Sequence, residues 1–182
     1  RYTRELYLER VERLRDAVPG LTLSTDLIVG FPGETEADFD ETLTLIGEAG
    51  FVAAFAFTYS PRPATASLAL EDDVPRELKD ERLQRVFAAI AAQQGPHLES
   101  LVGTTQRALL EGPSRTDPRR FTGRTEQNEI VHVEGPSGVD LAGQLLDVEI
   151  TRANEHSLLA RAVSEVDTVR RAAPVRQLPV IA

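Results

Sequence analysis

The strongest constraint on the fold is the stretch 24–35, in which an apolar run leads into a turn bracketed by two glycines. The run at 27–29 is continuous, which is typical of a strand that is covered on both faces in a parallel sheet. Gly30 and Gly33 lack a Cβ, so the backbone there can approach a ligand closely. Because ligands of parallel α/β folds bind at the carboxyl ends of the strands, this turn is a predicted binding edge.

The segments on either side of the turn indicate alternating helices and strands. Thr35 and Asp38 have the spacing of a capping box, which predicts a helix start. An amphipathic helix is predicted before the strand, ending near Pro19. A second strand is predicted over 51–59, with its aromatic side chains packed on the core. This rhythm predicts an α/β fold that forms part of a (β/α) barrel.

The second half of the chain has a different pattern. A long helix is predicted from Pro75, with a kink or a second short helix at Gly95 and Pro96. Five short strands in about 60 residues then predict a small closed barrel of the oligonucleotide-binding type. We expect domains at 1–101 and 102–163 and a flexible tail over 164–182. The five predicted strands lie at 104–111, 119–124, 129–134, 144–151 and 157–163.

Composition excludes several kinds of chemistry. The 182 residues include no cysteine, which excludes disulfides, thiolate zinc sites and cysteine-bound iron–sulfur clusters within this sequence. The three histidines lie far apart, so neither a metal site nor a set of catalytic residues is predicted. No apolar run approaches the roughly 18 residues of a membrane span. We therefore expect no membrane partner and a cytoplasmic location.

One basic segment stands out although the net charge is -9. The stretch 115–124 contains four arginines and an aromatic residue, a combination that favours contact with phosphates and unpaired bases. The alternatives are a solvated hairpin, with Phe121 in the barrel core, and an Asn128 that caps a turn instead of reading a base edge. The predicted RNA-binding residues are Arg115, Arg119, Arg120, Phe121, Arg124 and Asn128.

The sequence resembles the radical S-adenosylmethionine (radical SAM) methylthiotransferase family over most of residues 1–163. The matching stretches are RYTR at 1–4, STDLIVGFPGET at 24–35, YSPRPATA at 59–66, ERL at 81–83 and GRTEQN at 123–128. The resemblance is closest to members that modify isopentenylated adenosine in tRNA. It implies the C-terminal part of a (β/α) radical SAM barrel, followed by a five-stranded, RNA-binding TRAM domain.

The resemblance also implies binding residues on the first domain. For the glycine turn, the alternative to a binding role is tight packing between strand and helix. For Asp26, the alternative is a structural ion pair. Glu34 is interpreted as a favourable charge at a helix N-terminus. Ala64 replaces the glycine that the family usually has before the threonine, so a turn that needs a positive φ would be strained there. The implied S-adenosylmethionine contacts are Gly30, Phe31, Pro32 and Gly33, and the implied substrate contacts are Asp26, Tyr59, Ser60 and Arg62.

The implied reaction adds a methylthio group to C2 of N6-isopentenyladenosine in tRNA. It uses S-adenosylmethionine and [4Fe-4S] clusters whose cysteines are absent from this chain, so we expect the chain alone to be inactive but able to bind RNA. The expected partners are a tRNA anticodon stem-loop and a missing N-terminal part of the same protein. The alternatives are a ribosomal protein or another tRNA adenosine as substrate, or a noncatalytic RNA-binding module. Since a partial barrel exposes strand edges, self-association or partial disorder of residues 1–70 is also expected.

Overall fold

The computed structural model describes residues 2–135 and 139–163. The chain divides into two compact units, Arg1–His97 and Leu98–Ala182. The predicted tail at 164–182 lies outside the described residues.

The first unit is built around a two-stranded parallel sheet. Thr35 caps α2 in a complete capping box with Asp38, as predicted, because each residue's side chain accepts the other's backbone N–H. Gly50 ends that helix in the left-handed conformation, with φ 59°. The elements are α1 (Arg4–Ala17), β1 (Leu23–Val29), α2 (Glu36–Ala49), β2 (Phe51–Thr58), a short 3₁₀ turn (Ala66–Ala69) and α3 (Arg76–Ser100).

Among the described residues, helices cover one face of this sheet and leave the other open. Val29, Phe51 and Ala56 pack with buried side chains of α2 and α3. On the opposite face Ile28, Phe55 and Phe57 are 59%, 70% and 56% exposed. The expectations of a strand covered on both faces and of core packing for all β2 aromatics were therefore wrong. The parallel register explains the result, because Ile28 lies beside Phe57 and both side chains point away from the helices.

Helix α3 continues through the predicted breaking pair. It runs without interruption from Arg76 to Ser100, with Pro96 inside it. The expectation of a second short helix was therefore wrong. Proline removes one donor from the backbone ladder, and here the helix continues for another four residues beyond it.

The second unit contains a closed barrel in the order β3-β4-β5-β7-β6. The β5–β7 pair is parallel and the other four pairs are antiparallel. All five predicted strands are confirmed, with ends within about two residues of the predicted positions, since turn residues separate them clearly. They are β3 (Thr105–Pro113), β4 (Arg120–Thr125), β5 (Ile130–Glu134), β6 (Leu145–Ala153) and β7 (Leu158–Ala162).

Alternating side chains fill the barrel. Leu110, Val131, Ile150 and Leu158 are fully buried in one apolar cluster. Strand β4 needs a glycine where it passes β3, because a Cβ at Gly123 would lie 2.3 Å from the Leu109 carbonyl oxygen. Alternation and close packing together leave the outer faces of β4 and β5 for polar residues.

Candidate functional site

Both glycines of the turn after β1 adopt a left-handed backbone conformation. Gly30 has φ 68° and Gly33 has φ 79°, in the region that side chains rarely adopt. A Cβ at Gly30 would also lie 2.3 Å from Cγ of Lys79, whereas one at Gly33 would meet nothing within 4 Å. The turn is therefore closed at Gly30 and open at Gly33.

A buried ion pair holds the closed side of the turn. Glu34 Oε2 accepts the Gly30 N–H at 2.5 Å and a guanidinium N–H of Arg82 at 2.7 Å. Arg82 also donates to the Glu34 carbonyl oxygen at 3.1 Å, and its side chain is 2% exposed. Glu34 is thus more than the favourable helix charge that the sequence suggested. Arg82 fixes its position from helix α3.

Sequence reasoning assigned no role to Arg82, although its spacing carries a signal. It lies four residues after Leu78 and four before Val86, on the face of α3 that the apolar pattern buries. An arginine on a buried stripe needs partners, because an unpaired buried charge is costly. Searching for carboxylates near the glycine turn would have linked Arg82 to Glu34.

A second, more exposed group of charges borders the start of α2. Glu36 pairs with Arg82 at 3.2 Å and with Arg85 at 2.6 Å. Arg85 also reaches Asp40 at 3.1 Å, and its guanidinium lies 4.6 Å from the Phe39 ring centroid. Hydrogen bonds from Arg85, then from Arg82, lower the pKa of the Glu36 carboxyl below its ordinary value. These charges keep α2 docked beside α3.

The acidic linker before α3 covers the other side of the turn. Asp73 Oδ1 accepts the Gly33 N–H at 2.7 Å. Asp72 pairs with the buried Lys79 ammonium, with oxygen distances of 2.5 and 2.7 Å. Since the N–H groups of both Gly30 and Gly33 already bond to carboxylates of the chain, a ligand here would meet mainly the Phe31 side chain and the open side of Gly33. Phe31 is 42% exposed.

The structure places the implied substrate residues in different surroundings. Tyr59 is 8% exposed, its ring lies edge-on to Phe31 with centroids 5.0 Å apart, and its hydroxyl donates to the Ser67 carbonyl at 3.2 Å. Asp26 is exposed on the open face of the sheet. Ser60 and Arg62 are also exposed, and no ion pair joins Asp26 to Arg62 among the described residues. Tyr59 thus supports Phe31 from beneath.

The loop after β2 has the strain that the departure from the family pattern predicted. Ala64 has φ 63°, so an alanine occupies a left-handed position. The Thr65 hydroxyl donates to the Arg62 carbonyl at 2.8 Å and closes this loop. The loop therefore holds a left-handed residue at Ala64 although no glycine is present there.

Ion pairs distinguish the arginines of the barrel from one another. Arg119 donates to both oxygens of Asp117 at 3.1 and 3.2 Å, and these bonds lower the pKa of that carboxyl. Arg120 lies 3.3 Å from Glu134, and Arg124 donates to the Asn128 carbonyl at 3.0 Å. Among the described residues, the Arg115 side chain has no hydrogen-bond or ion-pair partner.

The structure places Phe121 and Asn128, two predicted RNA contacts, in the positions that the structural alternatives described. Phe121 is 8% exposed and belongs to the barrel core, so its ring is not a surface platform for a base. The reason is alternation along β4, which points this side chain inward. Asn128 has φ 70° and donates its backbone N–H to the Thr125 carbonyl at 3.0 Å, as the turn alternative described.

A groove of about 570 Å³ lies on the outside of the barrel. Its floor is the outer face of β4 and β5, including Thr122 and His132. The loop after β3 and the turn between β6 and β7 form its walls. We call this surface, with Pro113, Ser114, Arg115, Thr122, His132 and His156 as its principal residues, the barrel groove.

The described part of the chain contains neither a cluster of possible metal ligands nor a helix that could span a membrane. Within residues 2–135 and 139–163, no three His, Asp or Glu side chains converge as a metal site would require. Within the same residues, none of the helices has the length and apolar character of a membrane span.

The closed barrel and its groove define the class of the second unit. Residues 99–163 match the TRAM domain family, so this unit contains a TRAM domain. The predicted five-stranded TRAM barrel is thereby confirmed.

The relatives of the chain identify a narrower family than the TRAM domain does. It is 49% identical to the tRNA-2-methylthio-N(6)-dimethylallyladenosine synthase of Sorangium cellulosum (strain So ce56), over 97% of this chain and 36% of that protein. It is 52% identical to the synthase of the same name from Bordetella petrii, over 91% of this chain and 34% of that protein. These matches confirm the resemblance to the methylthiotransferase family. The chain spans about a third of the length of these curated relatives.

Proposed function

We propose that this chain is the C-terminal part of a tRNA methylthiotransferase that adds a methylthio group to C2 of N6-isopentenyladenosine in tRNA. The observation that carries the proposal is an identity of about one half to relatives named for this reaction, spread over nearly the whole chain. In this proposal the TRAM barrel holds tRNA, and the first unit supplies the end of a radical SAM barrel. The domain limits 1–101 and 102–163 belong to the same proposal.

The glycine turn fits a contact with S-adenosylmethionine on its open side. Phe31 offers an exposed ring, and a Cβ at Gly33 would meet no protein atom within 4 Å beyond its chain neighbours. Glu34 and Asp73 fix the turn's backbone before any ligand arrives, because they bond to the N–H groups of Gly30 and Gly33. We assign Gly30 and Pro32 to the shape of the turn and Phe31 and Gly33 to the contact itself.

The radical chemistry needs groups beyond this sequence. When bound, S-adenosylmethionine and a [4Fe-4S] cluster would supply the radical chemistry. The chain has no cysteine to ligate a cluster, so the proposal places the cluster ligands in another part of the protein. In this proposal, the residues of this chain hold and orient S-adenosylmethionine at the glycine turn.

The open face of the sheet is the proposed substrate side. Asp26 is exposed there beside Phe55, its partner across the parallel strands. Ser60 and Arg62 extend from the carboxyl end of β2, where parallel α/β folds bind ligands. Tyr59 acts through Phe31, since its own hydroxyl is occupied by Ser67.

A chimeric enzyme tests this proposal. This chain would replace the aligned segment of the Bordetella petrii synthase in a bacterial host that lacks its own tRNA methylthiotransferase. We expect 2-methylthio nucleosides to reappear in digested tRNA, as measured by mass spectrometry. A matched chimera carrying Gly30→Val should lose the product, because that side chain would collide with Lys79.

Two outcomes would contradict the proposal. One is a stable, expressed chimera that yields no methylthio nucleoside while the unaltered Bordetella petrii protein does. The other is a methylthio group on ribosomal protein, or on an adenosine without the isopentenyl group, which would support the alternative substrates.

A further inference from the structure

We propose that the barrel groove binds one single-stranded RNA nucleotide, with Arg115 contacting its phosphate and the rings of His132 and His156 lining the base. The inference rests on the proposed function for the identity of RNA as the partner. It assigns the binding residues from the geometry of the barrel, and it differs from the arginine cluster that the sequence emphasised.

The shape of the groove suits a nucleotide. Its volume of about 570 Å³ lies within the roughly 300–1,000 Å³ range of small-molecule sites. The floor is preorganised, because the Thr122 hydroxyl and His132 Nδ1 lie 3.2 Å apart and fix the ring. His156, in the turn between β6 and β7, lines the same groove. A flat base would enter the groove beside these two rings.

The chemistry of the lining matches an unpaired nucleotide better than a duplex. Single-stranded RNA offers base faces that stack on histidine and arginine planes and base edges that bond to hydroxyls. The groove combines His132 and His156 with the hydroxyls of Ser114 and Thr122 and the apolar ring of Pro113. Barrels of the oligonucleotide-binding type present ligands to the same combination of strands and loops.

The ion pairs single out Arg115 for the phosphate. Arg119 and Arg120 both contact Asp117, and Arg124 lies 3.9 Å from Glu111 on the groove wall. Those arginines must leave or share a carboxylate before they can neutralise a phosphate. Arg115 lines the groove and, among the described residues, is without such a partner. Its full charge is therefore free for the ligand.

The test uses the full 182-residue chain and a fluorescein-labelled, unstructured single-stranded RNA, with a duplex of the same length for comparison. Binding is followed by fluorescence anisotropy over a salt series. We expect tighter binding of the single strand. Arg115→Gln should weaken it about tenfold and reduce the salt slope by about one. His156→Ala should weaken it about tenfold and leave the slope unchanged, because stacking releases no counterions.

Arg119→Gln is the matched control, since it removes the same charge from a side chain that is 85% exposed and already paired with Asp117. It should weaken binding far less than Arg115→Gln does, because Arg119 is not among the residues that line the groove. Equal losses for Arg115→Gln and Arg119→Gln would overturn the inference, as would a preference for the duplex or no RNA binding by the folded chain. The methylthio assay on the chimera is independent, so an active chimera with an ineffective groove would overturn only this inference.

Discussion

The two units stabilise their strands in different ways. In the barrel every strand has two neighbours, and Leu110, Val131 and Ile150 are completely buried between them. In the first unit β1 and β2 have only each other among the described strands. Their open face leaves Phe55 and Phe57 exposed. The barrel therefore completes its own core, whereas the sheet of the first unit is packed on one side only.

The two candidate sites are also held in place by different kinds of interaction. The barrel groove lies on a scaffold of apolar packing, and its polar residues are added outside. The glycine turn depends on buried charges, above all Arg82 with Glu34. The loss of stability from truncating an apolar core side chain depends on how far the core can close the cavity, whereas a buried charge without its partner is strongly destabilising. This contrast leads to predictions for each unit.

The largest expected effect is that of Arg82→Met in the first unit. The change leaves Glu34 nearly buried and without its cation, since that side chain is 10% exposed. We expect a loss of roughly 3–5 kcal/mol in the stability of this unit. Urea unfolding and amide exchange in β1 and α2 would measure it. Arg85→Met is the control, because that side chain is 37% exposed and should matter far less. Equal effects would contradict the role given to burial.

The next effect is that of Leu158→Ala in the barrel. This side chain is fully buried among the core residues, and its truncation should cost about 2–5 kcal/mol through lost contacts and a cavity. Amide exchange in β5 and β7 should accelerate. Leu145→Ala removes the same atoms from a residue that is 49% exposed and should change stability by less than about 0.5 kcal/mol. A small loss at Leu158 would mean that the barrel collapses to fill the space.

The smallest effect on stability is expected for the double change Phe55→Ser and Phe57→Ser. Both rings lie on the open face, so little packing is lost. The exposed aromatics should instead promote self-association, which the double variant reduces in sedimentation measurements. Leu109→Ser, at an exposed barrel residue, is the control and should leave association unchanged. A wild-type chain that stays monomeric at high concentration would refute this prediction.

Much of the local structure could be predicted from the sequence. The capping box at Thr35 and the five barrel strands follow from short-range preferences and turn residues. The positive φ at Ala64 followed from a single departure from the family pattern. The TRAM domain and the methylthiotransferase resemblance were also visible in the motifs.

The sites required more than local patterns. Four arginines close in sequence looked equivalent, yet Arg119 pairs with Asp117, Arg120 with Glu134 and Arg124 with Glu111, while Arg115 lines the groove. The open face of the sheet could not be predicted from the sequence either, because alternation defines two faces of a strand but does not show which face the helices cover.

The sequence by itself determined where most of the helices and strands lie, since capping and alternation act over a few residues. Only the tertiary structure decided that Arg82 meets Glu34 across 48 positions, that Phe121 points into the barrel and that His132 and His156 face one groove. Such contacts join residues far apart in the chain. Their strength depends on burial and on competing partners, and neither is defined until the elements pack together.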